Sequence, residues 1–229
     1  MLTGHAQAEN YGDAGGKETK QPEKRKEKQS IKSSEKSKLW TILTDVQVMS
    51  LGLACTTFEG SMYLFVFFWT PALESAKTST GGLPYGIIFA SFMASILASS
   101  LAFNMIMQRQ LVKHSILLIA IICIANLCLF LAARPGSEQS TFWIFCLYEA
   151  TVGMYWPCMG YLKGKLVDDG IRAQVYSILR IPLNIFVVTS LLFTGDGDSF
   201  GAVFSACSKL LLASCSVLGI VFLNRDEAP

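Results

Sequence analysis

The sequence predicts an all-α, polytopic membrane protein of six transmembrane helices, on three observations. Only 16% of its 229 residues are charged and 52% are hydrophobic, whereas a soluble globular chain carries about a quarter charged residues. Nine of the 19 Lys and Arg residues lie before Trp40, so the remainder is poorer in charge still. Six apolar runs, at 47–70, 83–107, 115–133, 140–162, 173–193 and 200–223, are each long enough to cross roughly 30 Å of hydrocarbon at about 1.5 Å per residue.

In chain order, residues 1–40 read as a basic, solvated and disordered cytosolic tail, because KETKQPEKRKEKQSIKSSEKSK alternates Lys with Glu and holds no apolar run. Contact with anionic lipid is the functional alternative for this tail. Nothing in it resembles a nucleic-acid binder or a cleaved signal peptide. Residues 41–225 form the expected membrane bundle and 226–229 a short cytosolic end. The separators TPALESAKTSTGGLP, MQRQLVKH, ARPGSEQS, KGKLVDDGIR and TGDGDS are short and rich in Gly, Pro or charge. With the tail in the cytosol, Arg109, Lys113, Lys163, Lys165, Arg172 and Arg225 fall on the inner side, and only Lys77 and Arg134 on the outer. The positive-inside rule therefore predicts a multi-pass protein of the cell membrane with both termini cytosolic.

In the second span, Ala90/Ala94/Ala98 and Ser91/Ser95/Ser99 recur every fourth residue, a spacing that permits close backbone approach in lipid. Gly160 and Gly164 repeat the device in the fourth. Pro71 and Pro84 read as boundaries of the first outer loop, and Trp69 as an interface anchor. Pro157 and Pro182 sit within spans, where they can break or bend a helix. The seven cysteines, at 55, 123, 128, 146, 158, 207 and 215, all lie in apolar runs and read as structural thiols. With His5 and His114 far apart along the chain, no metal site is expected.

Four ionisable residues interrupt the spans: Glu59, Glu149, Arg180 and Lys209. A charge at mid-helix costs at least about 2.5–3.5 kcal/mol on an insertion scale, so these positions should face the bundle interior. Glu149 and Arg180 lie on consecutive antiparallel helices, and either carboxylate, Glu149 or Glu59, can meet the guanidinium if both face the bundle interior, as an interhelical ion pair or as a polar site on a transport path. Arg180 supplies several fixed donors for an anion. Asn184, one turn on, shares its face, and Tyr148, Tyr155, Trp156 and Ser177 add polar groups. Glu149 or Glu59 can take up a proton, since burial disfavours a charged carboxylate. Lys209 is the weakest coupling candidate, because a long amine can snorkel. No phosphate-cradling Gly loop, metal cluster or nucleophile–base pair points to an enzyme or a cofactor, and no carbonyl filter or charge ring points to a channel.

Several of these stretches resemble one family. FEGSMYLFVFFWTPAL with LPYGIIFASFMASILASSL, then YEATVGMYWPCMGYLKGKLVDD and RAQVYSILRIPLNIF, resemble the C-terminal half of the molybdate-anion transporters of the major facilitator superfamily. The resemblance spans about residues 42–225 and encloses Glu59, Glu149 and Arg180. It implies molybdate uptake across the plasma membrane by a fold of two six-helix bundles, of which this chain supplies one. The missing N-terminal half makes a partial chain, with the tail a remnant of the central cytosolic loop, the expected reading; pairing with a separate half is the other. Transport of another oxyanion or organic anion, or a non-transporting membrane scaffold, are the alternatives.

Overall fold

The computed structural model describes residues 37, 39–77, 81–193 and 200–226. Among the described residues six long helices follow one another: α1 (Val46–Ser75), α2 (Tyr85–Gln108), α3 (His114–Ala132), α4 (Glu138–Leu166), α5 (Arg172–Phe193) and α6 (Phe200–Asp226). The tail expected over 1–40 lies outside the described residues except for 37, 39 and 40.

Local chemistry sets the helix ends. Asp45 caps α1 by accepting from the Gln47 amide at 2.7 Å, and Ser137 caps α4 with Glu138 in its first turn, where a negative side chain favours the helix dipole. At the far end of α4, Arg172 Nη2 donates to the carbonyls of Gly164 and Val167 at 3.1 and 3.3 Å, satisfying acceptors that the helix leaves open. Pro84 is the N-cap of α2, at a boundary as expected. Pro71 is not at one: α1 continues through it to Ser75. Helix α4 likewise runs unbroken through Pro157, and α5 through Pro182. A proline removes one donor and one ladder bond, which a membrane helix supported by neighbours tolerates.

Among the described residues five helices, α1, α2, α3, α5 and the stretch Phe200–Phe222 of α6, are long and apolar enough to span a membrane. Helix α4 has the length, with 29 residues, but is more polar. The packing explains why. Helix α4 lies against α1, α2 and α3, so Thr141, Tyr148, Glu149, Thr151 and Tyr155 are buried in protein. Helix α1 correspondingly packs on α4, α5 and α6, and α3 meets α6 on the far side.

These contacts form an inverted repeat. Exchanging α1 with α4, α2 with α5 and α3 with α6 returns the same set of neighbours. Cross-contacts fix the directions. Phe65 meets Tyr148 and Phe58 meets Tyr155, so α1 and α4 are antiparallel. Gly52 meets Leu179 and Gly60 meets Phe186, so α1 and α5 run parallel. Phe92 meets Phe145, and Ile96 and Ser99 meet Gly153, so α2 and α4 run parallel as well. Two three-helix units of opposite topology result, an arrangement common among transporters. Glu59 of Phe58-Glu59 and Glu149 of Tyr148-Glu149 hold similar positions, each near the centre of its central helix.

Close approach depends on small residues, as the sequence suggested, though not at every position. A Cβ at Gly153 would lie 3.0 Å from the Ile96 carbonyl carbon and nearer still to its oxygen and to Ser99 Oγ. The serine row of α2 therefore seats against α4, with Ser91 and Ser95 half-buried and Ser99 buried, while Ala90, Ala94 and Ala98 are exposed. Adjacent residues stand about 100° apart around a helix, so one row must turn away. Gly160 has nothing within 4 Å of a Cβ, and Gly164 only Arg172 at 3.9 Å. Neither brings two helices together.

Candidate functional site

Three helices supply one pocket. Cys55 and Glu59 come from α1; Trp156, Met159, Gly160 and Lys163 from α4; Tyr176, Leu179 and Arg180 from α5; together they line a cavity of about 180 Å³. Its polar members are spaced by four residues: Cys55 with Glu59, and Tyr176 with Arg180, while Lys163 lies one turn beyond Met159. Four-residue spacing puts each pair on one helical face. The bare backbone at Gly160 keeps part of the α4 wall open.

Glu59 is the anchor of the cluster. It is 4% exposed, and its Oε1 accepts from the Cys55 thiol at 2.9 Å and the Tyr155 hydroxyl at 3.0 Å. Lys163 Nζ pairs with the same oxygen at 3.5 Å and donates to Cys55 Sγ at 3.1 Å. Its ammonium also stands 5.5 Å from the Tyr176 ring centroid, within cation–π range. Phe58, stacked on Tyr155 at 4.0 Å, keeps that hydroxyl aimed at Glu59. Arg180 lines the pocket, is exposed, and makes no ion pair among the described residues. Two cations and one carboxylate thus face a small shared space.

The expected Glu149–Arg180 pair does not form among the described residues. The reason is topological. Helices α4 and α5 follow one another in sequence, yet the repeat lays α5 along α1 and α2 along α4. Glu149 is buried on α4, with no hydrogen bond or ion pair to its carboxylate among the described residues. Tyr148 is fully buried between Phe58 and Phe65, and its hydroxyl has no hydrogen-bond partner among the described residues. Tyr155 serves Glu59 from behind rather than lining the cavity. Ser177 is exposed and bonds back to the Ala173 carbonyl at 2.8 Å. Asn184 is exposed beyond the pocket lining, and Lys209 is exposed on α6, a helix that contributes nothing to it.

Sequence reading missed three contributors. Lys163 was assigned to the inner loop because the apolar run ends at 162; the helix continues to Leu166 and turns Lys163 inward. Its four-residue step from Met159, itself four from Tyr155, was the available signal. Cys55 was read as a structural thiol, although it stands four residues before Glu59. Tyr176 stands in the same relation to Arg180.

One larger depression lacks this chemistry. A cleft of about 740 Å³ beside α5 and α6 is lined by Leu64, Pro182, Ile185, Phe186, Val203 and neighbours, with no charged side chain. Among the described residues no group of His, Cys, Asp or Glu is arranged to hold a metal ion.

Comparison with known proteins agrees with this architecture. The chain is 30% identical over 200 residues to the molybdate-anion transporter of Xenopus tropicalis, covering 82% of this chain and 42% of that protein. It is 29% identical over 206 residues to the molybdate-anion transporter of Takifugu rubripes (81% and 41%), and 30% over 204 residues to that of Danio rerio (82% and 41%). The chain therefore spans about two fifths of the length of these curated relatives. No solved structure matches it. The family model MFS_5, described as sugar transporters with 12 TM, matches residues 4–137. That match covers more than half of the chain, which belongs to the MFS_5 transporter family.

Proposed function

We propose that the chain is one six-helix half of an oxyanion transporter, and that the α1–α4–α5 pocket is its wall of the anion path. The observation that carries this reading is the cation pair Lys163 and Arg180 around one cavity, with Glu59 beside them. Arg180 offers a permanent charge with several donors to an anion's oxygens. Lys163 is held by Glu59 until an anion competes for it. A dianion facing the two cations meets the Glu59 carboxylate as well, so Glu59 rather than Glu149 is the carboxylate that shares the anion's space in this reading.

Charge favours an anion over a sugar. A neutral sugar would gain little from two cations, whereas molybdate, which the relatives' names specify, carries the complementary charge. A scaffold held by an interhelical lock would account for Glu59–Lys163, but not for a cavity that also admits Arg180. The second wall would come from another six-helix bundle, with this chain as the C-terminal half, both termini cytosolic and the assembly in the cell membrane.

The test is equilibrium binding of radiolabelled molybdate to the full chain in lipid nanodiscs, with sulfate and glucose as competitors. Saturable binding displaced by sulfate but not by glucose, and weakened at least tenfold by Arg180→Gln, is expected. Unchanged affinity in a folded Arg180→Gln protein would refute the anion role. Absence of saturable binding by the unaltered chain would refute a site held by this wall alone.

A further inference from the structure

The α3–α6 seam holds a second chemical feature, independent of the transport reading. Cys123 Sγ and Cys215 Sγ lie 3.0 Å apart across it. Among the described residues no other two cysteines come within hydrogen-bonding distance of each other. Both are free thiols, Cys123 exposed and Cys215 buried. Each sits well inside its helix, with nine residues of α3 on either side of Cys123, so the pair lies far from the helix ends. The register is fixed twice over. Ser208 Oγ donates to Asn126 Oδ1 at 2.5 Å, three residues from Cys123 and seven from Cys215. Cys215 also approaches the Ile119 carbonyl at 3.9 Å. Movement of about 1 Å brings the sulfurs to the bonding distance of roughly 2.05 Å.

We propose that Cys123 and Cys215 form an oxidisable intramembrane dithiol, closed to a disulfide by hydroperoxides dissolved in the bilayer. Cys123, the lipid-accessible thiol, takes one oxygen from the hydroperoxide and becomes a sulfenic acid as the hydroperoxide leaves as an alcohol. The Cys215 sulfur then bonds to the Cys123 sulfur, and the sulfenic oxygen departs with the thiol proton as water. Two thiols lose two electrons in total, and one hydroperoxide is reduced to an alcohol and water. The bond joins α3 of the first repeat to α6 of the second. It lies outside the anion pocket, whose lining comes from α1, α4 and α5 only.

The experiment uses the full chain in liposomes treated with cumene hydroperoxide. The protein is denatured, alkylated with N-ethylmaleimide and digested without reduction, and its peptides are identified by mass spectrometry. The expected product is a Cys123–Cys215 linked peptide that rises with oxidant and disappears with dithiothreitol, the other five cysteines remaining alkylated. Cys123→Ser and Cys215→Ser should each abolish the link and leave the partner thiol alkylated. Full alkylation of both residues after oxidation would overturn the proposal. So would a Cys123–Cys123 dimer in place of the link within one chain. The unaltered protein gives the decisive reading, so poor folding of a variant does not blunt it.

Discussion

Replacing Lys163 with Met tests whether the pocket's ion pair is a true electrostatic unit. Removing one member of a buried pair costs about 3–5 kcal/mol, because the other charge is left uncompensated. Here Glu59 keeps two neutral donors, Tyr155 at 3.0 Å and Cys55 at 2.9 Å. The Lys163 side chain is also 15% exposed, so some of its attraction is screened. Both points place the loss at the low end, about 3 kcal/mol, or roughly a hundredfold in the folding equilibrium. Adding Glu59→Gln removes the stranded charge, so the double variant should lose only about 1 kcal/mol, the scale of one neutral hydrogen bond. The assay is reversible unfolding of the full chain in mixed micelles at increasing sodium dodecyl sulfate fraction, followed by tryptophan fluorescence. If Lys163→Met and the double variant lose the same stability, Glu59 does not need its cation and the reasoning fails.

Other substitutions probe the remaining contacts. Gly153→Ala should cost about 2–3 kcal/mol in the same unfolding assay, because its Cβ meets the Ile96 backbone and overpacking costs about 1–3 kcal/mol. Gly160→Ala, with open space around it, should stay within about 0.5 kcal/mol yet weaken molybdate binding by narrowing the pocket. Tyr155→Phe should lose about 1–2 kcal/mol with the hydrogen bond to Glu59, while Tyr148→Phe, whose buried hydroxyl has no partner among the described residues, should be neutral or stabilising. Glu59→Gln should tighten molybdate binding at least about tenfold in the nanodisc assay, since one repulsive charge leaves the cavity.

The helices were legible because their separators are so unlike them. TGDGDS or ARPGSEQS cannot be mistaken for a lipid-facing helix, and each run of apolar residues ends where water begins. Pro71 misled for a physical reason: in water a proline usually closes a helix, while here α1 leans on three neighbours and continues to Ser75. The buried charges were also legible, since Glu59 and Glu149 stand out against an apolar background. Their partners were not. Antiparallel neighbours in sequence are the natural guess for contact in space, and that guess paired Glu149 with Arg180. The inverted repeat interleaves the two halves, so α5 belongs beside α1, a relation that a single helix's periodicity does not encode. Lys163 escaped because hydropathy marks where a span leaves lipid, not where the helix itself stops.

Helix α5 touches the bundle chiefly along α1, where Leu179 and Phe186 sit in the space left by Gly52 and Gly60, and it is the least enclosed of the five apolar spans. A helix with few buried contacts opens at low free energy, so its amide protons should exchange before those of α1 or α4. Arg180 is carried on that helix, whereas Glu59 and Lys163 sit on α1 and α4 and pair with each other at 3.5 Å. Displacing α5 therefore widens the mouth of the pocket without separating the carboxylate from its lysine. On the proposed function, bulk at Gly52 or Gly60, which would push on Leu179 or Phe186 of α5, should ease anion entry and, by shifting Arg180, also weaken the hold on the anion, while the Glu59–Lys163 pair stays closed.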